Sequence, residues 1–185
     1  MAKKYDHISP ALQEFIEAQK VFFVGTAMRE GRINVSPKGM DTLRVVGPNR
    51  VVWLNLTGSG NETAAHLMES TRITIMFCAF EGKPLILRLY GQAQTYHERD
   101  PEFDELAALF PPMHATRQLV DVRIELVQTS CGFGVPLMDF VEERDTLITW
   151  AANRSKDRIR DYWAEKNTVS LDGHATNIFE DEPEQ

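Results

Sequence analysis

The sequence is short of several features that would assign it to large classes of protein. Only two cysteines occur in 185 residues, Cys78 and Cys131. That is too few for the disulfide framework of a small secreted domain; both fall in or beside predicted strands, and without a secretory context both are expected to be reduced. No apolar run approaches the roughly 20 residues that a membrane-spanning helix needs. Met1-Ala2-Lys3-Lys4 is followed by polar residues rather than by the apolar core of a signal peptide. Positive charge is also scarce: 20 Lys and Arg against 27 Asp and Glu leave a net charge of -7. This disfavours nucleic acid and anionic membrane as partners, and with neither a membrane-spanning run nor a signal-peptide pattern the cytoplasm is the expected location. The five histidines show no metal-ligand spacing with one another or with the cysteines. No Ser-His-Asp or Cys-His set stands out, and there is no internal repeat, low-complexity segment or long linker.

What is present is an ordinary globular composition, 43% hydrophobic and 25% charged, in a chain long enough for a sizeable core. One domain is expected over residues 1–176, followed by an acidic tail at 177–185. Ser9-Pro10 is an N-cap with proline at the first helical position, and Leu12, Phe15 and Ile16 give residues 10–20 an apolar stripe. Residues 21–27 (VFFVGTA) read as a strand, Arg29-Glu30-Gly31 as a turn, and 32–36 as a returning strand that leaves Lys38 at its end. Residues 51–56 are nearly all apolar, so both faces of that strand are expected to be covered. Asn61 is positioned to cap a short helix whose buried side carries Ala64, Leu67 and Met68.

Residues 72–80 and 85–96 are further strands, the second with Leu85, Leu87, Leu89 and Gly91 on one face and Ile86, Arg88, Tyr90 and Gln92 on the other. Residues 119–129 alternate, with Val120, Val122, Ile124 and Leu126 facing one way and Asp121, Arg123, Glu125 and Gln128 the other. Asp100-Pro101 opens a short helix, and 144–166 reads as one amphipathic helix with a basic face. Strands separated by turns, with few helices, predict a mainly β architecture, an antiparallel barrel with peripheral helices.

Four features could carry chemistry. The corner Thr57-Gly58-Ser59-Gly60-Asn61 opens onto a helix N-terminus, where close backbone approach, hydroxyls and N–H groups suit a phosphate. Taken alone, it is equally a strand-to-helix turn that needs glycine, and it is neither a P-loop nor a dinucleotide fingerprint. Lys38 at a strand end could neutralise a phosphate or be solvated. Arg88 interrupts an apolar strand and requires a carboxylate, a phosphate or solvent, with Asp121 or Glu125 as candidate ion-pair partners. Cys131 in SCGFG has no basic or His neighbour to lower its pKa, so packing is its expected role; His66, at mid-helix, reads as a surface or packing residue.

The ordered segments FFVGTA, RINVSPKG, NRVVWLNLTGSGNETAAHL and RITIMFCAFEGKPLILRLYGQAQ resemble the pyridoxamine 5'-phosphate oxidase-like, FMN-binding split β-barrel family. The likeness spans roughly residues 10 to 175. It includes the GSGNET corner, the SCGFGVP loop and the KNTVSLDG segment at 166–173 shared with a branch only related to the oxidases themselves. The resemblance implies an antiparallel split β-barrel and a homodimer with FMN at the subunit interface. It implies that Lys38 contacts the FMN phosphate and that Asn34, Val35 and Ser36 run along the isoalloxazine edge. Ser59, Asn61 and Thr63 would complete the phosphate site, and Cys131 and Gly132 of the partner's loop would border the flavin; from the residues alone, Arg88 with its polar-face neighbours Tyr90 and Gln92 is a further candidate to line a site.

The departures are specific. The Ser-Arg-Lys triplet of the vitamin-synthesising oxidases falls on Asn61-Glu62-Thr63, so two cations become an acid and a hydroxyl. Losing two charge-assisted contacts weakens FMN by roughly 1.5–3 kcal/mol each. Ile86 replaces an expected Gln, and the C-terminal Trp and Arg-Leu-Ala-Pro pattern is absent. The expected function is therefore an FMN-dependent oxidoreductase of a substrate other than pyridoxine 5'-phosphate. The alternatives are a barrel that binds haem, a deazaflavin or another ligand, and a purely structural or regulatory dimer.

Overall fold

A computed structural model describes residues 2–179. In chain order the elements are β1 (Lys3–Tyr5), α1 (Pro10–Ala18), β2 (Phe22–Thr26), β3 (Asn34–Lys38), β4 (Leu43–Gly47), β5 (Arg50–Leu56) and α2 (Glu62–Glu69). They continue with β6 (Arg72–Cys78), β7 (Ile86–Tyr96), α3 (Phe103–Ala107), β8 (Thr116–Ser130), α4 (Thr146–Ala152) and α5 (Lys156–Lys166). The strands pair antiparallel in the order β3-β2-β6-β7-β8-β5-β4. The long β8 carries β7 along one edge, and β5 and then β1 along the other.

The sheet closes on itself through its apolar side chains. Phe22 of β2 and Trp53 of β5 are separated in the sheet by β6, β7 and β8, yet their rings meet edge-on at 6.4 Å. Phe77 lies against Phe22 in a tilted pair at 5.9 Å. Around these rings lie Val24, Ile75, Leu87, Leu89, Val120 and Val122, all fully buried. The fold is thus mainly β, the expected antiparallel split β-barrel. The outer face of β5 is covered as well: Val52 and Leu54 pack with Leu119 beneath Leu106 and Phe110. This is why residues 51–56 are apolar on both sides. A third cluster joins Ala151, Ile159, Trp163 and Ile178 of the C-terminal part.

Several elements depart from expectation. Strands β1 and β4 carry too little pattern to be read. The single helix expected over 144–166 is two helices, because Ser155 starts a new one, its Oγ accepting a hydrogen bond from the Arg158 N–H at 3.3 Å. On α2, Met68 is exposed and His66 is buried. The alternation of β8 slips at a bulge between Ile124 and Leu126, so that Val127 rather than Leu126 enters the core. Opposite this bulge lies Gly91, where an added Cβ would run into the Arg123 carbonyl. The expected tail begins too early: Ile178 is buried, and the acidic run 180–185 lies outside the described residues.

The close approach at Gly91 leaves no room to relax, because the atom in the way is backbone. Gly91→Ala is expected to destabilise the fold by about 2 kcal/mol or more, measured by urea unfolding. An unchanged midpoint would show that the two strands can separate there without cost.

Candidate functional site

Strands β3 and β4 are the two ends of the sheet and are not paired with each other. The chain crosses between them through Met40 and Asp41, both in the left-handed region (φ 62 and 55), with the Thr42 hydroxyl donating to the Gly39 carbonyl at 2.7 Å. At this seam a cleft of about 390 Å³ opens between β3, β5 and the corner 57–61. Alternation along β3 turns Asn34, Ser36 and Lys38 toward it. Val35 faces the other way and is 66% exposed, so its side chain does not line the cleft.

Two cations meet at the cleft. Lys38 places its ammonium 4.9 Å from the centroid of the Trp53 ring, and burial, then the nearby Arg117 charge, depress its pKa to about 8. Arg117 is only 5% exposed, and burial lowers its pKa to about 10. Its Nη1 donates to the Gly60 carbonyl at 2.9 Å and to Asn167 Oδ1 at 2.8 Å, while its Nε has no partner. Among the described residues, neither cation has a carboxylate within ion-pair distance. The carboxylate that lines the cleft, Glu62, accepts from the Leu171 N–H at 3.0 Å.

The sequence pattern did not reveal Arg117, and the pairing register explains why. Asn55 pairs with Gln118 and Leu56 with Thr116, so Arg117 is the extra residue of a β-bulge. A bulge re-aims its side chain and breaks the alternation by which faces are read.

The corner is held from behind. Thr57 bonds Ala115 through N–H and hydroxyl at 2.8 and 3.0 Å and accepts from the Trp163 indole at 2.9 Å. Asn167 Nδ2 donates to the Gly58 carbonyl at 3.0 Å. Asn61 occupies the cap position of α2, but its side chain does not cap it. The amide instead accepts from Gln118 Nε2 at 3.0 Å and donates to the Asn167 carbonyl at 3.4 Å, so Asn61 secures the corner. With the carbonyls drawn backwards, the N–H groups of Gly58, Ser59, Gly60 and Asn61 have no hydrogen-bond acceptor among the described residues. Ser59 is exposed at the rim.

Thr63 accepts from Asn34 Nδ2 at 3.2 Å. The same amide approaches Thr26, whose hydroxyl meets His66 Nδ1 at 3.0 Å. Ser36 Oγ and Asn55 Oδ1, both on residues lining the cleft, are buried without partners.

Three expected residues lie elsewhere in the chain. Arg88 donates to the Ser130 hydroxyl at 3.3 Å; neither anticipated carboxylate takes it, because Asp121 pairs with Arg50 at 2.9 Å and Glu125 with Arg123 at 2.8 Å. Cys131 is exposed. Gly132, at φ 65, presses on the Leu85 backbone where no side chain would fit. None of the three lines the cleft.

An unpaired, half-buried lysine has a pH signature. The ordinary pKa of 10.5 falls to about 8 in the fold, so between these values the unfolded chain binds more protons, and stability rises with pH. One such group contributes at most about 1.4 kcal/mol per pH unit. Urea unfolding between pH 8 and 10 should show this rise in the wild type and not in Lys38→Met; parallel curves would contradict the assignment.

Comparison with known proteins bears on the family and the fold. The family model described as pyridoxamine 5'-phosphate oxidase matches residues 8–131. A pyridoxamine 5'-phosphate oxidase family protein of Aspergillus flavus, ustO, is 33% identical over 189 residues, covering 91% of this chain and 75% of its own. Two solved structures share the fold. HupZ of Group A Streptococcus superposes with TM-score 0.54 at 17% identity, over 66% of this chain and 99% of its own. A Clostridium acetobutylicum protein related to general stress protein 26, of the pyridoxinephosphate oxidase family, gives 0.51 at 17% identity, over 72% and 92%. With the family model running from before β2 to the end of β8 and the fungal relative extending the match along most of the chain, the protein belongs to the pyridoxamine 5'-phosphate oxidase family.

Proposed function

We propose that the chain binds FMN in the cleft at the barrel seam and works as a flavin-dependent oxidoreductase. The observation that carries this reading is the Lys38 and Arg117 pair, two half-buried or buried cations that face one cleft without a carboxylate partner among the described residues. Two such charges repel and are costly to desolvate, so a dianionic phosphate between them relieves both costs. The unengaged N–H groups of the Gly-rich corner add the directional donors that a phosphate uses. One of the two cations that the oxidases carry at the corner is thus replaced from another strand, by Arg117, and Glu62 is turned toward Leu171.

The rest of the cleft fits a ring with polar edges. Asn34 and Ser36 on β3 and Asn55 on β5 line it, and Ser36 Oγ and Asn55 Oδ1 have no partner among the described residues. Bound flavin supplies the capacity to accept or donate a hydride or electrons. The protein's part is to neutralise the phosphate through Lys38 and Arg117, to hold the ring against β3, and to keep Trp53 beneath the charged end. Among the described residues, no histidine of the same chain lines the cleft. We also take the functional unit to be a homodimer with FMN at each subunit interface. The exposed apolar side chains of Ile33 and Val35 beside the cleft, and of Phe133, Leu137 and Val141 after β8, support it. In such a dimer, Arg88, Cys131 and Gly132 serve the partner's site, which accounts for their absence from the cleft of their own chain.

FMN titration followed by flavin fluorescence tests the reading. Arg117→Gln removes a charge-assisted contact of about 1.5–3 kcal/mol, so affinity should fall roughly 10- to 100-fold, with a comparable loss in Lys38→Met. Unchanged affinity in both variants, or no binding to the wild type, would overturn it. Sedimentation of the wild type should show a dimer; a monomer at all concentrations would contradict the shared site.

A further inference from the structure

Arg117 also borders a second cavity, with Trp163 and the end of the described chain. Its volume is about 440 Å³, and its walls include His97, Arg99, Arg160, Trp163 and Phe179. We propose that this cavity is a second ligand site, taking a small carboxylate- or phosphate-bearing molecule with an apolar body. The proposal is independent of whether the first cleft holds FMN.

The polar wall is built for an anionic oxygen. His97 is 6% exposed, and its Nε2 has no partner among the described residues. Its Nδ1 lies 3.5 Å from an Arg99 guanidinium nitrogen, which can only donate, and 3.7 Å from Asp100 Oδ2, too far for a hydrogen bond. With Nδ1 accepting from Arg99, Nε2 carries the proton and is a buried donor with no acceptor among the described residues. Burial and the Arg99 charge lower the imidazole pKa to about 4, so the ring is neutral near pH 7. Arg117 Nε is the second buried donor without a partner.

Arg160 adds charge from α5, its guanidinium lying over the Phe179 ring at 5.3 Å, with no ion pair among the described residues. The carboxylate on the wall, Glu98, pairs with Lys156 at 3.2 Å. Arg99 is anchored on the Asn177 and Ile178 carbonyls at 2.6 and 2.9 Å and so fixes the C-terminal wall. The indole of Trp163, the Phe179 ring and Ile178 supply an apolar surface beside these donors. A volume of this size lies in the range of small-molecule pockets.

The same carboxylate chemistry has two sources. One is a free ligand. The other is the chain itself, since residues 180–185 read EDEPEQ and follow Phe179 directly.

Benzoate is the probe, a single carboxylate on a ring, titrated into the full-length isotope-labelled protein. The His97 imidazole and the Trp163 indole should shift saturably while the Trp53 indole, at the first cleft, stays still. Arg160→Gln, a change on an exposed helix face, should weaken the effect at least tenfold, and His97→Phe should do the same. A full-length variant with Glu180, Asp181, Glu182 and Glu184 changed to amides separates the sources. Tighter benzoate binding in that variant identifies the chain's own carboxylates as the competing occupant, and unchanged binding identifies a free ligand. No saturable shift in either the wild type or the amide variant, or a shift at Trp53 alone, overturns the proposal.

Discussion

A guanidinium buried without a carboxylate is among the costlier things a fold can contain, and the region around Arg117 is arranged to tolerate one. Its Nη1 is satisfied by a backbone carbonyl of the corner and by the Asn167 amide. Asn167 in turn holds Gly58, and its own carbonyl takes the Asn61 amide. The strand bulge, the Gly-rich corner and the segment after α5 therefore form one polar assembly with Arg117 at its centre. What that assembly leaves unsatisfied is positive charge and N–H donors, and both face cavities. The site's chemistry follows from a residual demand for an anion.

The barrel supplies the rigidity that this demand needs. Trp53 is packed edge-on against Phe22 within the core, and its ring also sits beneath the Lys38 ammonium. The residue that closes the barrel across its interior is thus also the floor of the charged end of the cleft. The seam exists because β3 and β4 end the sheet without pairing. A fully closed ladder there would fill with backbone hydrogen bonds the space that the cleft occupies.

Much of this was legible in the sequence. Alternation and turn residues located β2, β3, β5, β6 and β7, since their one- or two-sided burial leaves a period-two or continuous apolar trace. Ser9 and Pro10 marked the start of α1, and the Ser9 hydroxyl does accept from the Leu12 N–H at 3.4 Å. The GSGNET corner and Lys38 were recognisable as a phosphate-type pair, and both line one cleft. Position on a strand does not reveal a bulge, however. Arg117 therefore reads like any polar residue before an apolar run, and simple alternation puts Leu126 on the face that Val127 occupies. Residues joined over long separations, such as Thr57 with Trp163 and Glu62 with Leu171, leave no periodic trace at all. The 144–166 stretch shows the opposite failure: its helical pattern is real, and a competing cap at Ser155 divides it.

The central claim is that charge lost at the corner is supplied by Arg117 across the cleft from Lys38. A crystal structure of the protein grown with FMN tests it most directly. The account predicts the phosphate at the corner, with oxygens about 3 Å from both the Lys38 ammonium and the Arg117 guanidinium and Glu62 still turned to Leu171. A phosphate seated away from Arg117, or a flavin bound with its ring rather than its phosphate at the corner, would contradict it.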